Sequence, residues 1–307
     1  MIFFAILLAL LIEQAHPLSE DNPVFAALQG WARLMRRNLD TGQKGHAWLG
    51  WVFATGGPAA LAALVYWGLW NFSALLAFAW LVAILYVTLG FRQFSHHFTD
   101  IREALDQGNE PLAREKLSAW LGIDTASLTR AELLRQVIEQ SALAAHRHVF
   151  GVLAAFVIFW LLGLGPAGAV FYRLAEYVSR DWRAQNEGTP SLAAHQVGAA
   201  GWGLVDFLPA RFTALGFAVV GNFEEAVASW RGEAERFAPG SDGVVLAATS
   251  GALNVRLSAR ASESDEEGVT RAEPQLAHLA SAVGLVWRSV VLWMLLLALL
   301  TLARLLA

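Results

Sequence analysis

Apolar runs as long as a membrane is thick constrain this chain more than any other feature. Ala47 to Trp70 reads "AWLGWVFATGGPAALAALVYWGLW", and Phe72 to Phe91 follows at once as "FSALLAFAWLVAILYVTLGF". Each reaches the roughly 20 residues that a helix needs to cross the hydrocarbon layer. The spacing predicts a helical hairpin turning at Asn71, with Trp48, Trp51, Trp67 and Trp70 as an interfacial aromatic belt. Val149 to Tyr172 and residues 283–307 give two further runs of spanning length. Two others are marginal. Met1 to Ile12 is short, and Leu204 to Val220 carries an acid, a proline and a base within it. The expected fold is therefore all-α: a polytopic membrane protein with four strong and two marginal transmembrane or re-entrant helices, plus an amphipathic extramembrane region.

Composition agrees with a lipid environment. Of 307 residues, 56% are hydrophobic and 16% charged, against about 25% charged in an ordinary soluble domain. A formal charge of -4 offers no general attraction to nucleic acid. The absence of cysteine excludes disulfides, thiolate metal sites and a cysteine nucleophile. The histidines show no metal-ligand spacing, and the chain lacks the phosphate-loop, nucleophile-elbow and kinase patterns. No metal site is expected, and the expected partner is the bilayer. Small-residue patches permit a homodimer or a membrane-protein partner.

The runs divide the chain into five parts: 1–91, the N-terminal segment and hairpin; 92–148, amphipathic and helical; 149–221, a central membrane region; 222–282, polar; and 283–307, a final span. In "SLTRAELLRQVIEQSALAAHRH", Leu133, Leu134, Val137, Ile138 and Leu143 recur at helical spacing, and Thr129 with Glu132 forms a capping-box pattern. Residues 173–200 read as a polar loop, and "SESDEEG" as a flexible acidic one. If all six runs cross, the basic loops at 13–46 and 92–148 face the cytoplasm.

The run Gly201 to Gly221, "GWGLVDFLPARFTALGFAVVG", holds Asp206, Pro209 and Arg211 within six residues. A charge at mid-bilayer costs about 2.5–3.5 kcal/mol on insertion scales, so these side chains are expected to face protein or water. Two readings stay open. One is a helix broken at Pro209, whose Asp206–Arg211 pair fixes packing. The other is a polar pocket that binds a ligand, shared with Tyr172 and Arg173.

Those residues carry a resemblance. "GLVDFLPARFTALGFAVVGNFEEAVASW" and "FWLLGLGPAGAVFYRLAEYV" are similar to the signature blocks of the CobD/CbiB and AmpE superfamily of inner-membrane proteins. "LSAWLGIDTASL", with Asp124, resembles a further block of the cobalamin branch, and "IEQAHP" its opening. That branch is adenosylcobinamide-phosphate synthase, which uses ATP to join aminopropanol phosphate to adenosylcobyric acid by an amide. The resemblance implies ATP, Mg²⁺ and a corrinoid for that branch alone, and the bacterial inner (cytoplasmic) membrane for both. Aligned from Glu139, however, Leu143 and Ala144 stand where the branch has a Glu-Asn pair, and Arg147 stands near its Asp. Trp202 and Gly203 stand where it has two acids, and Asp206 replaces an Asn. An ATP-dependent ligase needs carboxylates around Mg²⁺. The expectation is accordingly a non-catalytic, AmpE-like sensor or modulator binding a ligand or partner near Asp206, Pro209, Arg211, Tyr172, Arg173, Glu139, Arg147 and Asp124. The synthase activity is the alternative.

Overall fold

A computed structural model describes residues 2–16, 18, 22–183, 190–257 and 271–306. Among the described residues the chain is helical, with only one isolated bridge, Val255 to Ala272. It forms two compact units: residues 1–90, 147–209 and 300–307, and residues 91–146 and 210–299.

The first unit is built on α1 (Ile2–Ala15), α2 (Pro23–Leu39), α3 (Lys44–Phe72), α4 (Ala74–Thr88), α8 (Gly151–Leu161) and α9 (Ala167–Asp181). Helix α3 packs on α2, α4 and α9, and α8 packs on α9. Small residues allow these approaches. Ala54, Ala59 and Ala62 of α3 are buried, while Leu61, Leu64 and Phe53 point outward. Burying the small face and exposing the large apolar one suits a helix whose outer solvent is lipid. Asn22 caps α2 by accepting from the Val24 N–H at 2.9 Å, and Pro23 occupies its first turn. Trp51, expected in the interfacial belt, is instead a core residue. It is buried and edge-on to Phe171 at 5.8 Å, whereas Trp67 and Trp70 remain exposed.

The second unit contains α5 (Phe91–Asp106), α6 (Glu110–Leu121), α7 (Arg130–Ala145), α11 (Phe223–Phe237) and α12 (Ser241–Leu253). The Thr129–Glu132 capping box is present at the start of α7. Leu133, Leu134, Val137 and Ile138 are buried with Ile101, Leu105 and Leu117 in one core, as their spacing predicts. Asn222, in the signature stretch, caps α11 through a 3.3 Å bond from the Glu225 N–H and donates its own N–H to Ala252 O at 3.1 Å. Gly221 admits this contact, because a Cβ there would lie 2.7 Å from Ala252 Cβ.

Among the described residues, four helical runs are long and apolar enough to cross a membrane: Lys44–Phe72, Arg130–Leu161, Leu192–Val220 and Leu276–Ala303. Ile2–Ala15 and Ala74–Thr88 are shorter apolar helices. The balance of four long and two short matches the sequence reading, but the membership differs. The run 72–91 yields only the 15-residue α4. The run 149–172 is not one span. Its helix ends at Leu161, and Gly163 (φ 80°) and Gly165 (φ 57°) turn the chain before α9 begins. The missing length lies upstream, where α7 passes through a π turn, His146–Phe150, into α8.

Residues 173–200 are largely helical rather than a loop: α9 continues to Asp181 and α10 (Leu192–Val220) starts at Leu192. Helix α10 is 29 residues long and contains Pro209 without a break. One proline removes one backbone bond, which a helix this long survives. The final helix α13 runs Leu276–Leu306, earlier by several residues than the apolar run suggests. The acidic "SESDEEG" segment lies outside the described residues.

Candidate functional site

A polar cluster forms in the first unit where α9, the π turn and the first part of α10 supply charged side chains. Along α9, Tyr172, Arg173, Glu176 and Arg180 follow at intervals that put them on one side of the helix. Tyr172 is fully buried and its hydroxyl donates to Asp206 Oδ1 at 2.8 Å. Asp206 is itself fully buried. Two features hold the tyrosine there. Gly151 opens α8 with no side chain, and a Cβ at that position would overlap the Tyr172 hydroxyl and sit 2.8 Å from its Cε1. The Trp202 ring covers the other side, 5.1 Å from the Tyr172 ring and tilted by 59°. Gly168 lets α9 approach this closely, since a Cβ there would lie 2.8 Å from Phe159 Cβ on α8.

Glu176 is the anionic centre of the α9 face. Arg180 grips it twice, Nε to Oε1 at 2.6 Å and Nη2 to Oε2 at 3.2 Å. Arg173 Nη1 stands 3.7 Å from Oε2, an ion-pair distance too long for a hydrogen bond. The Arg173 guanidinium also lies 5.3 Å from the centre of the Phe25 ring. Arg173 and Glu176 side chains are 8% and 5% exposed, while Arg180 is 62% exposed, so the cluster reaches solvent through Arg180. The π turn adds Arg147 and His148. The charge of Arg147 reaches both Tyr172 and His148, and those of Arg173 and Arg180 reach His148. A second ion group braces the same helix: Arg36 of α2 pairs with Asp181 at 3.6 Å, and Tyr177 donates to Asp181 at 3.2 Å.

The structure thus brings together four of the residues singled out from sequence: Tyr172, Arg173, Asp206 and Arg147. Pro209 closes the first unit's part of α10. Tyr172 is one partner of Asp206, and residues five apart on a continuous helix, as Asp206 and Arg211 are, diverge by about 140°. Arg211, Glu139 and Asp124 belong to the second unit. There Glu139 pairs with Arg135 at 3.7 Å. Asp124 accepts from the Ala126 N–H at 2.9 Å, beside an open surface cavity of about 540 Å³ that Glu110, Arg114 and Ser118 also line. Sequence reasoning missed Glu176, Arg180 and His148. The three- and four-residue spacing of Arg173, Glu176 and Arg180 was the available signal, hidden by reading the segment as a loop.

The donor set does not fit Mg²⁺. Of the two carboxylates in the cluster, Asp206 is engaged by Tyr172 and Glu176 by arginines. A hard cation takes several oxygen ligands and is repelled by the guanidinium groups around these two. Among the described residues no three carboxylate or imidazole groups converge.

Long apolar helices, and a buried arginine–tyrosine–carboxylate cluster between short-range packed helices of one unit, define a multi-pass α-helical membrane protein with a polar internal site. Residues 2–286 match the family model described as "CobD/Cbib protein". The chain belongs to the CobD/CbiB family. It is similar to the cobalamin biosynthesis protein CobD of Chromobacterium violaceum, 34% identical over 182 residues, 57% of this chain and 54% of the relative. The CobD of Stutzerimonas stutzeri is 29% identical over 241 residues, 74% of this chain and 75% of the relative. The CobD of Leptospira interrogans is 28% identical over 185 residues, 57% of this chain and 55% of the relative. The match thus spans about half the length of the Chromobacterium and Leptospira relatives. No solved structure matches the chain. The names of these relatives belong to the cobalamin branch, and nothing in them supports the AmpE-like expectation.

Proposed function

We propose that this protein acts in cobalamin biosynthesis as an adenosylcobinamide-phosphate synthase of the bacterial cytoplasmic membrane. In that reaction the amine of aminopropanol phosphate forms an amide with a carboxylate of adenosylcobyric acid at the expense of ATP. The observation that carries the reading is the family match over residues 2–286, with CobD proteins as its relatives. The cluster of Arg147, Tyr172, Arg173 and Asp206 is the proposed substrate pocket. Tyr172 fixes Asp206, Trp202 shields the pair, and the arginines face anionic groups of a substrate.

A second reading has its own observation. Leu143, Ala144, Trp202 and Gly203 stand in the places of the branch's polar and acidic residues, which favours a family member that binds a ligand and senses it without catalysis. One assay separates the two. Purified protein in lipid nanodiscs is incubated with ATP, Mg²⁺, adenosylcobyric acid and aminopropanol phosphate, beside the Chromobacterium relative. Amide product from both supports the synthase. Product from the relative alone, with this protein intact and folded, refutes it.

A further inference from the structure

We propose that the closed end of the α2–α3 hairpin is a docking surface for anionic phospholipid headgroups. Arg33, Arg37 and Lys44 supply its cations, and Trp31 anchors it at the edge of the hydrocarbon. Helix α2 folds back along α3. A Cβ at Gly50 would lie 3.3 Å from Leu39 Cβ, and one at Gly57 would lie 3.4 Å from the Trp31 ring. Both helices change the character of their exposed residues at the same end. On α3 the exposed Lys44 and His46 are followed by exposed Leu49, Val52, Phe53, Leu61 and Leu64. From Leu49 to Phe72 the helix runs about 35 Å, close to the ~30 Å of a hydrocarbon layer. On α2, Val24, Ala27, Trp31 and Leu34 form an exposed apolar stripe, and the exposed Arg33 and Arg37, one turn apart, flank its C-terminal end. Trp31 donates from Nε1 to Phe53 O at 3.1 Å, which fixes the indole beside the exposed apolar side of α3. An indole held beside arginines, whose apolar stems can lie along the stripe while their heads reach water, is the arrangement of a membrane interface.

Charge selects the kind of lipid. The whole chain carries a formal charge of -4, so attraction to an anionic surface has to be local. Between Asn22 and Phe91 the sequence has a single acid, Asp40, against Arg33, Arg36, Arg37 and Lys44. Arg36 is engaged by Asp181 at 3.6 Å, and Asp40 accepts the Ser191 N–H at 2.8 Å. Arg33 uses only its Nε, on Gln29 O at 3.4 Å, and neither it nor Arg37 nor Lys44 forms an ion pair among the described residues. A zwitterionic headgroup brings its own cation to each phosphodiester. An anionic one leaves that charge for the protein, and each base near such a surface strengthens binding about fivefold. This surface is independent of the synthase reading.

The test extracts the full chain with a neutral detergent from vesicles of equal phosphatidylglycerol and phosphatidylcholine. Co-isolated lipid is quantified by mass spectrometry, and particle mass is read by light scattering. Preferential retention of phosphatidylglycerol is expected. Arg33→Gln with Arg37→Gln should lower that preference about tenfold or more, and adding Lys44→Gln should lower it further. Arg33→Lys with Arg37→Lys keeps the charge and should keep most of the preference. Arg231→Gln with Arg236→Gln removes the same charge from exposed positions of α11 and should leave the preference unchanged. Raising sodium chloride during extraction of the unaltered protein should weaken the preference, which keeps the test open even where a variant folds poorly. Equal retention of the two lipids at low salt overturns the proposal, as does a preference that the α11 variant lowers as much as the hairpin variant. A dimer that the hairpin variant dissociates with no change in lipid ratio would assign the face to a second copy of the chain, and overturns it too.

Discussion

Replacing Gly151 by alanine tests whether the Tyr172–Asp206 contact is held by backbone space. In an open helix the change would stabilise by about 0.8–1.0 kcal/mol through helix propensity alone. Here the new Cβ would overlap the Tyr172 hydroxyl and lie 2.8 Å from its Cε1, with the ring fully buried and Trp202 behind it. Overpacking costs roughly 1–3 kcal/mol. Displacing the hydroxyl from Asp206 adds roughly 1–3 kcal/mol for a buried polar contact. Subtracting the propensity gain leaves a net loss of about 1–5 kcal/mol. The assay is reversible unfolding in mixed micelles followed by tryptophan fluorescence, run as a double-mutant cycle. With Tyr172→Ala the obstacle is gone, and Gly151→Ala should become neutral or stabilising by up to ~1 kcal/mol. Tyr172→Phe removes only the oxygen, so Gly151→Ala should stay destabilising there, but by less. If Gly151→Ala is as stable as the parent, or if its cost is unchanged in the Tyr172→Ala background, the packing argument fails.

Other outcomes follow from the same physical reasoning. Gly165→Ala places a Cβ 2.7 Å from Tyr66 Cγ at φ 57°, whereas Gly163→Ala, at φ 80°, meets nothing within 4 Å. Thermal unfolding should show a loss of about 1–2 kcal/mol at 163 from left-handed backbone strain, and about 1–3 kcal/mol more at 165 from the clash. Equal effects would contradict the close approach of Tyr66. Asp100 is held below the usual carboxylate range, chiefly by the 2.9 Å bond from Lys116. A depressed folded value means its stabilisation is present above the unfolded value and disappears as pH falls through the folded one. Both side chains are 34% exposed, so screening limits the effect to roughly 0.2–1 kcal/mol. Unfolding measured from pH 6 down to about pH 2 should show that increment, and Lys116→Met should remove it.

How far the sequence sufficed depends on what each signal measures. The helix Lys44–Phe72 was legible because hydropathy and length coincide in one uninterrupted run. The capping box at Thr129 and the core positions Leu133 to Ile138 were legible because both depend on spacing within one turn or two. The break after Leu161 was not. A hydropathy window sums across "GLGPAG" and cannot register that Gly163 and Gly165 adopt positive φ. The same blindness, with opposite sign, made "SLAAHQVGAA" a loop, although it starts the 29-residue α10. Its polar residues sit on a helix that the following apolar run stabilises. For the site, the Tyr172–Asp206 contact was not legible, because it joins residues 34 apart on two helices and pairing within a segment was the only pairing the sequence could suggest.

Trp202 and Gly203, the two positions where the resemblance would place acids of the cobalamin branch, are not equivalent in three dimensions. Trp202 fills its place: its ring lies against Tyr172 and seals the Asp206 contact from one side. An acid there would remove that cover and leave two carboxyl groups near one tyrosine. Gly203 does not fill its place, since a Cβ built on it meets nothing within 4 Å. Restoring an acid at 203 is therefore sterically open, while restoring one at 202 requires dismantling the packing that positions Tyr172. Changes at these two sites consequently have separable meanings. The first tests whether a carboxylate is what the chemistry lacks. The second tests whether the aromatic cover is what the pocket needs. In the synthase assay, Gly203→Asp with unaltered folding should hold or raise the rate, and Trp202→Asp should lower both rate and stability. The opposite ranking would mean that Trp202 occupies the acid's place without contributing to the pocket.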